Sequence, residues 1–397
     1  MKHRVLILGI DGYLGWPLAL HLLNKDYEVC GLDNLSRRRL VSTIGSNSLT
    51  PIQDFPQREA FLKHNKNFID NIACINLEDP YLISRVLCEF MPDTIVHLAE
   101  QPSAPYSMKD VRSCIDTQIS NVSGTLALLW AIREHCPDVH LIKLGTMGEY
   151  GTPNCDIPEG TIPNKCIHGF EPGIWQEGVI DCPMSGLPFP RSPNSFYHLS
   201  KVHDTHNIIF ACKTWNLRST DIMQGVVFGV SINNDVDINT LTRFDYDQYF
   251  GTVINRFITQ SLINHPLTIY GEGNQLRGYI PLQDSIQCLN IAIDNPPKQG
   301  EYRTFNQFKN VYSINELACA VISTAKLLGY KSPLINHIPN PRTENENNYY
   351  NPMHQKLYAL GYRPSNMHDE LIKLFNDLIP FIHRINSNVI MPTIKWR

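Results

Sequence analysis

At 397 residues and 45.3 kDa the chain has room for one large or two small domains, and 43% hydrophobic with 18% charged residues suits a globular protein with a sizeable core. A formal net charge of -4, a pI of about 6.4 and the lack of any basic run argue against a nucleic-acid partner, and no apolar run reaches the ~18 residues of a membrane span. The 11 cysteines are odd in number and scattered, with no C-x-x-C pair and no zinc-spaced cluster, so they read as reduced residues of a cytoplasmic protein. Met1-Lys2-His3-Arg4 runs straight into a strand, so neither a signal nor a transit peptide is expected.

Val5-Leu6-Ile7-Leu8 is a short apolar run, the mark of a strand buried on both faces. It leads into Gly9-Ile10-Asp11-Gly12-Tyr13-Leu14-Gly15 and a helix over 16–25, with Pro17 in its tolerated first turn and Leu18, Leu22 and Leu23 as an apolar stripe. A second strand over 27–32 ends on Asp33. Strand, glycine turn, helix, strand and acidic residue make up the full dinucleotide-binding context. The glycines allow a tight turn and close approach of a pyrophosphate, to which the helix N-terminus offers amide hydrogens. Asp33 can accept hydrogen bonds from the adenosine ribose, which favours NAD over NADP, although Arg37 and Arg38 follow closely enough to receive a 2′-phosphate. Residues 36–70 form a polar excursion with Pro51 and Pro56, long enough to hold some helix. Strands are then expected at Ala73-Cys74-Ile75-Asn76-Leu77, at Thr94-Ile95-Val96-His97-Leu98-Ala99 and at Leu141-Ile142-Lys143-Leu144-Gly145-Thr146. Ligands lie at the carboxyl ends of such parallel strands.

The stretch from Thr152 to Pro193 is rich in Pro and Gly and too long for an idle connection, so a partly ordered lid near the substrate is expected. In Ser195-Phe196-Tyr197-His198-Leu199-Ser200-Lys201, Tyr197 and Lys201 stand at i and i+4, on one face of a helix expected over 197–215. An ammonium beside a phenol stabilises the phenolate, which makes the pair a candidate base for a hydroxyl proton. Asp221 to Gly229 reads as a strand and glycine turn passing the nicotinamide. From Arg243 onward helices mix with short strands, as in a smaller domain; Arg243 to Asp247 and a helix over 253–262 should face the substrate. Arg277 and Arg342, from separate segments, suit a diphosphate taken by bidentate contacts. A polar turn is expected at 345–348 and a packing helix over 369–382. The expected architecture is α/β: a Rossmann-type doubly wound parallel sheet over residues 1–230, then a smaller C-terminal α/β substrate domain over 231–397 with some chain returning to the first sheet.

The spacing G-x-x-G-x-x-G, joined to Thr146 and Y-x-x-x-K, resembles the extended short-chain dehydrogenase/reductases. A narrower resemblance rests on Glu100-Gln101-Pro102-Ser103-Ala104-Pro105-Tyr106-Ser107-Met108, on 144–153, on 195–204, on Gln224-Gly225-Val226-Val227, on 270–279 and on Pro339-Asn340-Pro341-Arg342. These are similar to segments of the UDP-sulfoquinovose synthases, and the likeness runs from Val5 to Trp396. It implies NAD, UDP-glucose and sulfite (free or from a sulfite-donating protein), and a reaction in four stages. The sugar is oxidised at C4, loses water to give a 4-keto-5-ene, takes sulfite at C6, and is reduced again at C4. It places Thr146, Tyr197 and Lys201 in the catalytic centre, with Lys201 also at the nicotinamide ribose. The implied cofactor set is Gly9, Asp11, Gly12, Tyr13, Leu14, Gly15, Asp33, Asn34, Ser36, Arg37, Asn76, Leu77, Leu98, Ala99, Asn121, Tyr197, Lys201, Gln224 and Val227. The implied substrate set is Gln101, Thr146, Met147, Gln224, Arg243, Tyr246, Gln275, Arg277, Tyr279, Arg342 and Glu344. A homodimer is implied through helices near 112–134 and 197–215.

Three positions depart from related patterns. Asn76 stands where the family has Asp, and an amide can still donate and accept. Sugar-nucleotide 4,6-dehydratases carry Thr-Asp-Glu where this chain has Thr146-Met147-Gly148, so Glu149 and His198 become the candidates for the elimination, with Met147 packing on the sugar. The synthases have Arg where this chain has Pro102, which removes a natural anion ligand; Lys109 or Arg112 are the charges nearby in sequence. The alternatives are a related UDP-sugar epimerase or dehydratase and a non-catalytic NAD or sugar-nucleotide sensor, which would have no need of the Thr146, Tyr197 and Lys201 triad.

Overall fold

The computed structural model describes residues 2–69, 76–163, 165–166, 180–181, 185–232, 237–342, 344–391, 394 and 396. Its first half runs β1 (Arg4–Leu8), α1 (Gly15–Asn24), β2 (Glu28–Leu32), α2 (Ser36–Thr43), α3 (Phe55–Lys63), α4 (Pro80–Phe90), β3 (Thr94–His97), α5 (Ala104–Ser107), α6 (Val111–Gln118), α7 (Gly124–His135) and β4 (His140–Thr146). Then come β5 (Lys165–Cys166), β6 (Ile180–Asp181), α8 (Phe196–Trp215), β7 (Arg218–Gln224), β8 (Val226–Phe228), α9 (Val253–Leu262), β9 (Leu267–Tyr270) and β10 (Leu276–Pro281). The last part is α10 (Leu282–Asp294), β11 (Tyr302–Gln307), β12 (Asn310–Ser313), α11 (Ile314–Leu327), β13 (Ile335–Ile338), α12 (Gln355–Ala359) and α13 (Met367–Leu378).

Six strands form one parallel sheet in the order β11-β7-β4-β3-β1-β2. Side chains alternate along a strand, and β1 shows what this does. Leu6 and Leu8 point into the layer with Ile83, Leu128 and Ile208 of α4, α7 and α8. Val5 and Ile7 point the other way, into the layer with Leu18 and Leu22 of α1 and Ile286 and Leu289 of α10. All four are 0% exposed, so each contributes about 1.5–3 kcal/mol of burial. The strand expected at Ala73–Leu77 is only partly visible: residues 73–75 lie outside the described residues, while Asn76 and Leu77 sit at a turn. The described pairing beside β2 comes earlier in the chain. Phe68 bridges Val29, with Val29 N to Asn67 O at 3.0 Å and Ile69 N to Val29 O at 2.8 Å.

The second core is built by β12-β10-β8, by the β9-β13 pair, and by α9, α11 and α13 around Phe244, Phe257 and Phe375. α10 and β11 belong to the large sheet's layers although they follow this core's first elements in sequence. The long connection after Thr152 is pinned at its start. Ile157 pairs with Pro352, and Glu159 accepts from the amides of Asn306, Gln355 and Lys356. The part of the connection expected to form a lid (164, 167–179 and 182–184) lies outside the described residues. The helix expected over 369–382 begins and ends earlier, as α13, and passes into a tighter turn at Ile379–Arg384; Pro380 has no amide hydrogen to continue it.

Candidate active site

β1 ends in a turn that only glycine can make. Gly9 has φ +88°, and a Cβ on Gly15 would lie 2.0 Å from the Gly9 carbonyl oxygen. α1 starts immediately afterwards with no side-chain cap and no acidic residue in its first turn; the Trp16 amide donates to the Gly12 carbonyl and Pro17 has no amide hydrogen, so the Gly15 amide is the first-turn donor left to an anion. Above this turn a cavity runs across the carboxyl ends of the strands. It is lined at one end by Asp33, Asn34, Ser36 and Leu77, in the middle by Tyr13, Leu14, Leu98 and Ala99, and at the other end by Thr146, Tyr197, Lys201, Gln224 and Val227. Asp33 accepts from the amides of Asp11 (2.9 Å) and Leu35 (2.7 Å), so its carboxylate is held facing the cavity. Burial, then the nearby Asp11, push its carboxyl up to about 6. Arg38 is bound to Asp11 at 2.6 and 2.7 Å and to the Gln53 carbonyl at 2.8 Å, so its guanidinium is not left over for a 2′-phosphate; Arg37 is bound to Asp245 at 2.9 Å and keeps Nη1 without a partner among the described residues.

At the far end, Ser195 caps α8 by accepting from the His198 amide, and Ser107 Oγ accepts from the Tyr197 amide at 3.0 Å. These two contacts aim the first turn of α8 at the end of β4. Thr146 hydrogen-bonds the Tyr197 phenol, the one influence pulling its pKa down; burial, Glu149 and Asp204 together push it above the ordinary tyrosine range. The ammonium of Lys201 is 5.9 Å from the Tyr197 ring, donates to Leu144 O at 2.6 Å and is ion-paired with Glu100. The lysine's charge is therefore shared with a carboxylate, and the phenol is not the lowered one that the i, i+4 spacing suggests.

A second cavity adjoins the first. Arg37, Pro102, Val226, Phe250 and Thr252 line both. Beyond them it holds Arg256, Tyr270, Gln275, Arg277, Tyr279, Arg342, Glu344 and Trp396. Arg277 pairs with Glu344, Arg256 donates to the Tyr270 hydroxyl at 3.1 Å, and Arg342 lies 5.2 Å over Trp396. With Arg37, four arginines among the described residues line this cleft, a setting for a doubly charged anion. Arg256 was not among the residues expected here; it shares its face of α9 with Thr252, Thr259 and Gln260, a polar stripe on a buried helix. Glu100 was also passed over, though an acidic residue just past a parallel strand's carboxyl end is where ligand contacts fall.

Several expected contacts have other positions. Asn121 faces the backbone of Gln101 and the Ser200 hydroxyl, joining the 119–123 turn to α8. The Gln101 side chain is folded onto Ser103 and Thr117. Asp11 is engaged by Arg38 and Arg58, and Asn76 by Asn34 at the cavity rim. Tyr246 is 1% exposed in the second core, its hydroxyl taken by Asn386. Met147 packs with Tyr150, Ile157, Met223 and Phe308. Arg243 lines the first cavity, bound to Asp245. Glu149 is fully buried behind the site between Lys143 and Arg191. Lys109 and Arg112 are surface residues paired with Asp110 and Asp116 and line neither cavity; the guanidinium beside Pro102 is that of Arg37, stacked 4.0 Å over Phe250.

His198 is not among the residues lining either cavity; it packs beside Tyr197 and Gly148. Its Nδ1 contacts Asn194 Oδ1 (2.7 Å) and Ser195 Oγ (2.9 Å), and burial with Arg342 and Arg277 brings its pKa down to about 3. The ring is neutral at ordinary pH. A proton on Nδ1 bound to Asn194 leaves Nε2 as an acceptor beside Gly148.

Residues 5–306 match the family described as NAD dependent epimerase/dehydratase family. The chain belongs to the NAD-dependent epimerase/dehydratase family. It is 44% identical to the chloroplastic UDP-sulfoquinovose synthase of Spinacia oleracea, covering 100% of this chain and 80% of that one. It is 40% identical to the UDP-sulfoquinovose synthase of Sulfolobus acidocaldarius, covering 99% and 98%. Among solved structures it resembles the UDP-glucuronic acid 4-epimerase of Bacillus cereus (TM-score 0.67, 21% identity, covering 94% of this chain and 98% of that one). It also resembles the UDP-glucose 4-epimerase of Thermotoga maritima (TM-score 0.65, 20% identity, 94% and 98%). The first cavity fits the family's cofactor. The glycine cradle and uncapped α1 suit its pyrophosphate, Asp33 suits a ribose without a phosphate, and Tyr197 and Lys201 stand where the nicotinamide half would reach. Among the described residues no helix is long and apolar enough to cross a membrane.

Proposed function

We propose that the protein makes UDP-sulfoquinovose from UDP-glucose and sulfite. The observation that carries this reading is full-length identity of 40–44% to two UDP-sulfoquinovose synthases, together with a Thr146, Tyr197 and Lys201 centre beside the arginine-lined cleft. Arg256, Arg277 and Arg342 hold the diphosphate of the sugar nucleotide, with Gln275, Tyr279 and Glu344 around it. That places the sugar toward Pro102 and Thr252, where the two cavities join. When bound, NAD supplies the acceptor for the C4 hydride and gives it back at the end, so no oxidant is consumed. As the phenolate, Tyr197, aided by Thr146, takes the proton of the 4-hydroxyl, and as the phenol it later returns it. The 4-keto group acidifies C5–H, water leaves from C6, and the sulfur lone pair of sulfite forms the C6–S bond as C5 regains a proton. His198 Nε2 is the acceptor we assign to the elimination, since Glu149 is enclosed by Lys143 and Arg191. Arg37, lining both cavities beside Pro102, is the guanidinium we assign to the incoming anion.

Purified protein with UDP-glucose, NAD and sulfite should give a sulfonated UDP-sugar by mass spectrometry that is absent without sulfite. UDP-galactose or a 4-keto sugar formed regardless of sulfite would move the protein to an epimerase or dehydratase. The role of His198 has its own test. A methyl on Gly148 would lie 2.3 Å from His198 Nε2, so Gly148→Ala should displace the ring and lower kcat about 100-fold with NAD affinity unchanged by calorimetry. Unchanged kcat would remove His198 from the mechanism.

The homodimer reading is supported by Val111, Ile115, Ile119, Leu126, Trp130, Phe196 and Phe210, apolar side chains left exposed on α6 to α8. A cytoplasmic location is supported only by Cys88, Cys136, Cys212 and Cys288 being in no disulfide.

A further inference from the structure

Glu100 follows β3 and lines the first cavity, with 3% of its side chain exposed. A buried carboxylate is costly unless it is both paired and hydrogen-bonded. Glu100 has its pair in Lys201, but beyond that ammonium neither oxygen has a hydrogen-bond donor among the described residues. His97 Nε2 stands 3.6 Å from one of these oxygens, beyond hydrogen-bond reach, and lies against Thr125 Oγ1 at 3.2 Å. The remaining lone pairs therefore face a space that a ligand enters.

The carboxylates of this cavity differ in what already holds them. Asp245 is engaged by Arg37 and Arg243, and Glu78 is exposed at the rim. Asp33 and Glu100 are the two at strand ends, after β2 and β3: Asp33 is partly buried and already accepts from two amides, while Glu100 has 3% of its side chain exposed. A dinucleotide carries two riboses, each with a vicinal diol that both donates and accepts. A carboxylate takes the hydroxyl hydrogens, and an adjacent ammonium gives hydrogens to the hydroxyl oxygens. Asp33 serves the adenosine ribose. We propose that Glu100 and Lys201 together clamp the diol of the ribose next to nicotinamide, with Glu100 as the acceptor and Lys201 as the donor. This rests on the reading of the cavity as the NAD site. It makes Glu100 a cofactor-binding residue and gives Lys201 a fixed partner before the cofactor arrives.

The test uses calorimetric binding of three probes to the full chain: ADP, which has only the adenosine half, ADP-ribose, which adds the second ribose, and NAD. In Glu100→Gln the dissociation constants for ADP-ribose and NAD should rise about tenfold or more, while that for ADP stays within about twofold. Glu100→Asp keeps the charge at shorter reach and should fall between, which protects the test if the glutamine variant folds poorly. Equal binding of ADP-ribose by wild type and Glu100→Gln would overturn the proposal, and so would an equal loss of ADP, which would mark a general disturbance of the cavity. Wild-type protein that bound none of the three would overturn the reading of the cavity and the clamp with it. A failed sulfonation assay with intact probe binding would leave the clamp standing.

Discussion

Tyr197→Phe should lower the rate of UDP-sugar turnover about 10³-fold while leaving NAD affinity and thermal stability close to wild type. The separation of these effects follows from the packing. The phenyl ring keeps every apolar contact of a residue that is 9% exposed, and the hydroxyl's partner, Thr146, keeps its other bond, accepting from the Gly148 amide at 3.2 Å. What disappears is the one group placed to move the 4-hydroxyl proton, and positioned acid–base groups are worth about 10²–10⁴ in rate. The raised phenol pKa bears on how the group works. The phenolate is the form that takes the 4-hydroxyl proton when C4 is oxidised, and the phenol so formed, favoured by burial, is the form that returns it when C4 is reduced. Thr146→Val should also be slow. The double variant should be little slower than Tyr197→Phe alone, because both residues act on one proton. Turnover within about tenfold of wild type in Tyr197→Phe would exclude the tyrosine as the acid–base group.

The sheet was legible in the sequence because its signals are local. A four-residue apolar run, a glycine turn and an acidic strand end sit next to each other between Val5 and Asp33, and each has a local steric or hydrogen-bonding cause. α9 has the bounds its pattern gave, Val253–Leu262. The triad was legible for the same reason, as a strand end and a helix face. Long-range pairings were not. Lys201 meets Glu100 across 101 positions of chain, and no spacing rule relates them, so the i, i+4 argument assigned the ammonium wholly to Tyr197. The resemblance implied ligand contacts for Gln101 and Asn121, and Tyr246 belongs to a segment expected to face the substrate. Their side chains instead satisfy buried backbone and hydroxyl groups, a demand invisible until the fold says which groups are buried. Glu149 looked available beside Thr146; the two basic residues enclosing it come from β4 and from the end of the long connection.

That enclosure gives the largest expected effect on stability. Lys143, Glu149 and Asp221 each have 0% of the side chain exposed, with Lys143 Nζ 3.3 Å from Glu149 and 3.6 Å from Asp221. The same ammonium donates to Thr205 Oγ1 at 2.8 Å and to the Lys201 carbonyl at 3.0 Å. Thr205 in turn donates toward Asp221 at 2.7 Å, and Arg191 completes the cluster on Glu149 at 3.0 Å. Lys143→Met fills similar space but leaves buried Glu149 paired with Arg191, and buried Asp221 with the Thr205 and Tyr302 hydroxyls in place of its 3.6 Å ion pair. Breaking a buried pair from one side costs about 3–5 kcal/mol, and that loss should appear in chemical denaturation. Lys143→Met with Glu149→Gln removes a charge of each sign and should recover part of the loss, a coupling that a simple packing defect would not show. The catalytic consequence runs through α8. Lys143 holds the carbonyl of Lys201, and Glu149 faces the Thr146 amide at 3.3 Å, so the ion cluster fixes the strand end and the helix turn that carry Thr146, Tyr197 and Lys201. A loss under about 1 kcal/mol, or no recovery in the double variant, would show that water or protonation takes the lysine's place, and that the triad is held by the Ser195 cap and the Ser107 contact alone.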